Sequence, residues 1–172
     1  MAYNGNNSYG NPGKQNSGGN NRPGGFKPRS DPPKRLPDGY EEDLKSGYFY
    51  VPEGTEKPVM KPNFILGYPK RIADALTEWD RNKNKSSQIR RYYDFCVRIR
   101  DLMDDGRTYA ETEAEFCRLV PLVEYAKSRG LVTDVFVTFI NRNIDAVYNA
   151  EDFHAFVKHF EAVVAHMKQD KG

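Results

Sequence analysis

From Phe153 to Met167 the apolar residues Phe153, Phe156, Val157, Phe160, Val163, Val164 and Met167 recur at helical spacing. A strand would need a period of two, so only a helix with one buried face sustains this pattern over about four turns. So wide an apolar stripe has to be covered by other elements. The chain upstream supplies them. Ile72, Leu76 and Trp79 mark one face of a short helix entered at Pro69, where a missing donor and a fixed φ suit the first helical position. Ser86 or Ser87 is expected to cap a longer helix with Ile89, Tyr92, Tyr93, Cys96, Ile99 and Met103 inside and Gly106 as its stop. Thr108 and Glu111 make a capping box for a helix that buries Ala110, Ala114, Cys117 and Val120. It kinks or restarts at Pro121 and continues through Leu122, Val123, Tyr125 and Ala126 to Gly130. Thr133 opens the next helix, with Phe136, Phe139, Ile140, Ile144 and Val147 inside, and Asn149 with Asp152 opens the last. Five helices joined by short turns predict an all-α bundle over residues 69–172.

The rest of the chain is unlike this. Residues 37–68 hold Pro37, Pro52, Pro58 and Pro62 among the aromatics Tyr40, Tyr48, Phe49, Tyr50, Phe64 and Tyr68. The prolines predict an extended arm, with a short strand near Tyr48–Val51, whose rings anchor it to the body or to a neighbour. Residues 1–36 contain seven Gly, seven Asn and five Pro but only six apolar or aromatic residues. Such a composition cannot offset its ordering entropy, which predicts a disordered, Gly/Asn-rich tail. The tail carries +5 and residues 37–172 carry −3, within a total of +2.

No stretch approaches the roughly 18 apolar residues of a membrane span. The tail has neither the apolar core of a secretion signal nor the character of a transit peptide. Cys96 and Cys117 have no metal-like spacing and are expected in the core, which fits a reducing, cytoplasmic setting. His154, His159 and His166 make no His-x-x-x-His pair, so they predict surface or boundary histidines and no metal. Asp104 and Asp105 diverge around a helix end and lack a partner for acid–base work. No phosphate-loop or nucleophile-elbow pattern occurs. The expectation is a protein that is not an enzyme and carries no cofactor.

One charged run stands out. Residues 81–100 hold Arg81, Lys83, Lys85, Arg90, Arg91, Arg98 and Arg100 against a single acid, Asp94. Arg91 and Arg98 are seven apart and share a helix face with Ser87. Ser86, Ser87 and Gln88 bring hydroxyls, an amide and backbone donors to a helix N-terminus, which attracts phosphate. The cations add the sequence-blind grip of a nucleic-acid backbone. The residues alone are equally consistent with a solvated face paired to acids elsewhere. A smaller cluster, Arg118, Lys127 and Arg129, suits either phosphate or the dipole of a helix C-terminus.

Three segments, in order, resemble one family. Lys85-Ser86-Ser87-Gln88-Ile89-Arg90-Arg91 resembles the serine-glutamine-hydrophobic-arginine signature of the small subunit of type III-A CRISPR effector (Csm) complexes. The segment from Leu119 through Pro121, Tyr125 and Ala126 to Arg129 is similar to that family's leucine-x-proline segment. The run from Phe153 through Glu161, Ala162, Val163, Val164 and Ala165 to Lys168 resembles its C-terminal helix. The resemblance covers about residues 69–168, leaving tail and arm outside it. It implies a non-catalytic RNA-binding subunit supporting antiviral interference. Several copies would stack along guide RNA and its paired target RNA, against the backbone subunits and the large polymerase-like subunit. Carried over by position, Lys85, Ser87, Gln88, Arg90 and Arg91 would approach the RNA, with Arg98 extending the face and Lys83 in the loop before it. Arg129 would be a second contact, together with Lys127. The nearest rival is the small subunit of the related type III-B complexes. The alternative from another class is a helical scaffold that docks protein partners through its aromatic arm without touching RNA.

Overall fold

The computed structural model describes residues 35–77 and 82–167. The tail through residue 34, Trp79, Arg81 and Lys168 lie outside them. The described chain is an all-α bundle with one small hairpin. Its elements are α1 (Tyr40–Lys45), β1 (Phe49–Tyr50), β2 (Val59–Met60), α2 (Tyr68–Thr77), α3 (Ser86–Asp104), α4 (Tyr109–Cys117), α5 (Leu119–Ser128), α6 (Asp134–Asp145) and α7 (Ala150–His166). The strands pair antiparallel, Phe49 with Met60 and Tyr50 with Val59. The wide apolar stripe of α7 is covered by α2 and α3, and α5 packs on α6.

Several predicted boundaries are seen in detail. Thr108 accepts from the Glu111 backbone N–H, and the Glu111 carboxylate accepts from the Thr108 N–H at 2.7 Å. Asn149 Oδ1 accepts from the Asp152 N–H at 2.9 Å. At Gly106 (φ 103°) the N–H reaches Met103 O, while Arg107 N–H reaches Leu102 O, a Schellman closure.

Other expectations need correction. The cap of α3 is Lys85, with Ser86 already in the first turn. The helix opened by Thr108 ends at Cys117 and restarts after Arg118, three residues before Pro121. A proline needs no donor near a helix start, so Pro121 sits comfortably in the first turn of α5. The break also changes the buried face. Thr112, Phe116, Leu119, Val123 and Ala126 face inward, whereas Ala110, Ala114 and Cys117 are exposed and Val120 is half-buried. Leu122 and Tyr125 also lie outside. Cys96 is fully buried, and burial pushes its thiol up. The arm contains α1 despite its prolines. Its ring anchors reach the bundle, as Tyr40, Tyr48 and Phe64 are all fully buried, and Leu36 just before them is buried too.

What holds the arm is a buried polar network centred on a histidine expected at the surface. His159 is fully buried, and its Nδ1 lies 2.6 Å from Phe64 O. A carbonyl only accepts, so Nδ1 carries the proton and Nε2 is a bare acceptor. Tyr40 Oη, 3.0 Å from Nε2, therefore donates to it. The same oxygen accepts from Asn143 Nδ2 at 2.8 Å, and Nδ2 donates its other proton to Phe139 O at 2.6 Å. Asn143 Oδ1 accepts from Tyr48 Oη at 2.7 Å. Each strong donor and acceptor is satisfied, which a dry interior requires. Around it the rings form one continuous core. Phe64 meets Tyr48 and His159 edge-on at 5.2 and 5.3 Å, Phe139 meets Phe160 at 5.4 Å, and Phe116 meets Phe153 at 4.8 Å.

A second clasp ties the loop before α3 to the loop before α6. Asn84 is buried with φ 50°, a left-handed conformation that asparagine tolerates better than most residues. Its N–H donates to Leu131 O at 3.0 Å. Its Nδ2 donates to Leu76 O at 2.9 Å and Thr133 Oγ1 at 2.7 Å, while its Oδ1 accepts from the Thr133 N–H at 3.0 Å. Thr133, the N-cap of α6, is thus held by Asn84 and makes no side-chain cap bond of its own.

Two predictions follow from these clasps. Burial lowers the His159 imidazole from 6.5 to about 4. An unfolded chain therefore binds an extra proton between those values, and stability falls as pH drops through that window. The loss amounts to about 3 kcal/mol by pH 4. In urea titrations from pH 7 to 4, His159→Gln should show a shallower decline than the wild type, whatever its absolute stability. Asn84→Ala should cost about 3 kcal/mol, since three side-chain bonds go and the Leu76 carbonyl and Thr133 N–H lose their partner. Asn84→Gly should cost less, because glycine keeps the left-handed backbone without strain. Urea midpoints of the two variants check the order.

Candidate nucleic-acid interface

The basic run distributes along α3 and the loop before it. Lys85, Ser87, Arg90, Arg91 and Arg98 are exposed, and Lys83 and Gln88 are half-buried. Between Lys85 and Arg98 the helix rises roughly 20 Å. Among the described residues no carboxylate comes within ion-pair distance of Lys85, Arg90, Arg91 or Arg98. Arg98 lies over the Phe95 ring at 5.7 Å. Gln88 Nε2 donates to Tyr92 Oη at 3.2 Å, which directs part of its amide toward the helix. Arg100 belongs to a different environment. It pairs with Asp101 at 2.9 Å and Asp104 at 3.8 Å, and its hydrogen bond to Asp101 raises its pKa.

The exposed side of α3 therefore changes sign along its length. Lys85, Arg90 and Arg91 lie toward the N-terminus with Asp94 after them, Arg98 follows past the midpoint, and Asp101, Asp104 and Asp105 gather at the C-terminal end. A helix is stabilised by the opposite order, with acids near its N-terminus and bases near its C-terminus. Lys85 at the N-cap and the aspartates of the last turn therefore oppose the dipole, while Arg90 and Arg91 lie beyond the first turn, where it has little effect.

The second cluster meets the first through the Asn84 clasp. Lys85 is one residue from one side of the Asn84–Leu131 hydrogen bond, and Arg129 is two residues from the other. Gly130 (φ 70°) closes α5, with Gly130 N–H on Lys127 O and Leu131 N–H on Ala126 O, and this turn delivers Leu131 to Asn84. The three cations of the cluster differ. Arg118 is held by both carboxylate oxygens of Glu115 at 2.8 Å. Lys127 pairs with Asp134 at 2.6 Å, and this contact raises its pKa. Arg129 Nη1 donates to Tyr125 Oη at 3.0 Å and pairs with no described acid.

Sequence reasoning found the cations but missed Asn84, which positions both groups of them. A short polar side chain between two lysines in a polar run looks like any loop residue. Only the tertiary partner 49 positions away, Thr133, reveals it. His159 is internal, His154 Nε2 lies 3.2 Å from Asp104, and His166 is exposed at the end of α7. Among the described residues no group of three His, Cys, Asp or Glu could hold a metal ion, and no helix is long and apolar enough to cross a membrane.

Comparison with protein families matches residues 63–172 to Csm2 Type III-A. Searches among curated proteins and among solved structures returned no match. The matched span takes in α2 through α7, including α3, the α5 cluster and the Asn84 clasp. Because it covers well over half of the sequence, the chain belongs to the Csm2 Type III-A family and is a small subunit of a type III-A CRISPR effector complex, assembled with other Csm subunits.

Proposed function

We propose that this small subunit is a non-catalytic RNA-binding component, gripping RNA backbone with the N-terminal half of α3 and the adjoining end of α5. The carrying observation is the exposed set Lys85, Arg90, Arg91 and Arg98, which lacks acidic partners among the described residues. Ser87, Gln88 and Lys83 lie within the same stretch, and Arg129 lies across the clasp. Lys127 joins them only by releasing Asp134, and an exposed pair of that kind is weak enough to exchange for phosphate. Contacts of this kind position a subunit on a duplex without reading sequence. In this reading several copies stack along the guide RNA–target RNA duplex, beside the backbone subunits and the large polymerase-like subunit, in a cytoplasmic ribonucleoprotein serving antiviral interference.

A second reading, protein docking through the arm, is favoured by one observation. Tyr50, Val51 and Val59 of the hairpin and Leu66 beyond it are exposed, at 43, 57, 40 and 76 %. Tyr48, by contrast, is locked into the Asn143 network, so its loss would test stability rather than docking. The two readings are compatible.

Arg90→Ala/Arg91→Ala should weaken binding to a labelled RNA duplex and reduce the slope of log K against log salt by roughly 1.5. Its thermal midpoint should not fall, because both side chains are exposed and form no ion pair with a described acid, and alanine is the strongest helix former. Anisotropy titrations at three salt concentrations, with thermal melts alongside, measure both. Unchanged affinity and slope would sink the α3 assignment, and a lowered midpoint would mean that the arginines serve the fold.

A further inference from the structure

The bundle buries most of its aromatic rings, yet two tyrosines stand out on its helical part: Tyr125 at 63 % exposure and Tyr148 at 79 %. Their surroundings differ in charge. Tyr148 borders a hollow lined by Glu41, Asp145 and Asp152 along with Lys45 and Arg142, and Arg142 is already tied to Glu41 at 3.0 Å. Tyr125 stands on the solvent face of α5 with Arg129 one turn on. The Arg129 guanidinium lies 5.8 Å from the ring centroid, and its Nη1 holds the hydroxyl at 3.0 Å. An arginine serving the helix C-terminus would turn to the free carbonyls, whereas this one turns to the ring. Leu122, one turn back, and Leu131, just past the helix, are also part-exposed, at 37 and 46 %. Leu131 in turn accepts from Asn84, next to Lys85.

An exposed aromatic face with a fixed edge, a cation beside it and a backbone-gripping surface adjoining it is the composition of a nucleobase platform. Every base offers a π-face, so stacking needs no sequence match. It does need a base free of its own stack, because in an A-form duplex the faces are covered and only groove edges, sugars and phosphates are presented. The Arg129 hydrogen bond orders the ring before any ligand arrives, which lowers the ordering cost of binding. We propose that Tyr125, steadied by Arg129, is a stacking ledge for an unpaired nucleobase of RNA, so that this surface distinguishes an unpaired or splayed nucleotide from continuous duplex. The inference rests on the RNA reading of the α3 face and adds a ligand feature, the unpaired base, that phosphate contacts cannot sense.

The test uses the full chain with two labelled probes of one sequence, a single-stranded RNA 12-mer and its 12-base-pair duplex, followed by anisotropy. Tyr125→Ala should weaken the single strand by about tenfold and leave the duplex within about twofold, with an unchanged salt slope. Tyr125→Phe keeps the ring and should stay within about threefold of the wild type. Tyr148→Ala, in its acidic setting, should change neither probe. Thermal melts confirm that these surface variants fold. Single-strand affinity that survives Tyr125→Ala overturns the ledge, as does an equal loss on both probes, since a ring that serves fold or charge would not discriminate between them. A wild type that binds duplex in a salt-dependent way but shows no Tyr125 effect leaves the α3 reading standing and removes this one. A wild type that binds neither probe removes both. Tyr125→Ala that leaves RNA binding intact but abolishes self-association in sedimentation assigns the face to a second copy of the chain and likewise overturns the ledge.

Discussion

The imidazole of His159 has to be neutral and has to point both ways at once. One nitrogen serves the backbone of Phe64 in the arm, and the other serves the hydroxyl of Tyr40 in α1. Asn143 continues the chain to Tyr48 and to the backbone of Phe139. One set of proton positions satisfies all of these contacts, so three arm segments, α6 and α7 are mutually specified. A half-satisfied version would be worse than an apolar core, since each orphaned buried group costs about 1–3 kcal/mol. The network thus converts a proline-rich arm into part of the body. Tyr68 adds a peripheral lock, donating to Asp43 Oδ2 at 2.6 Å, and burial with that carboxylate pushes its phenol up to about 12.

That division of labour frees the opposite kind of polar residue. The stabilising hydrogen bonds are buried and neutral, while Arg90, Arg91 and Arg98 of α3 are exposed and unpaired with acids among the described residues. Asn84 links the two regimes. It is buried and fully bonded like His159, but what it fixes is the junction of two loops that bear Lys85 on one side and Arg129 on the other. Positioning cations through a rigid neutral clasp leaves Lys85 and Arg129 without an acidic partner among the described residues, with the Arg129 guanidinium bonded to Tyr125.

The periodic parts of this fold were legible in the sequence because helical spacing and caps are local signals. The inward phases of α3, α6 and α7, the Thr108 box and the glycine stops all follow from residues within a turn or two. The phase of α4 and α5 was not legible. The break at Arg118 carries no glycine or proline, and Pro121 draws attention to the wrong place. Cys117 accordingly falls outside rather than in the core. His159 and Asn84 were illegible for a different reason. A polar side chain is buried only if its partners come from elsewhere, and those partners lie 119 residues away at Tyr40 and 49 away at Thr133. For the site, charge density identified the cations, but only the folded side-chain positions separate Arg100 and Arg118, paired to acids within one turn, and Lys127, paired to Asp134 in the next helix, from Arg90, Arg91 and Arg129, which form no ion pair with a described acid.

The reversed charge order along α3 is the feature hardest to explain by stability alone. Exchanging its ends would improve the dipole interaction by a few tenths of a kcal/mol per residue or more. A sequence that places Lys85 at the N-cap and Asp101 and Asp104 in the last turn accepts that small loss. The positive end of the helix dipole and the cations from Lys85 to Arg91 lie close together, so both attract an anion at one place. Weak attractions of one sign, each modest in water, reinforce one another at a polyanion. Repeated along an assembly they multiply through effective concentration. On the proposed reading, a single subunit with a body charge of −3 holds RNA loosely and the assembled complex holds it firmly.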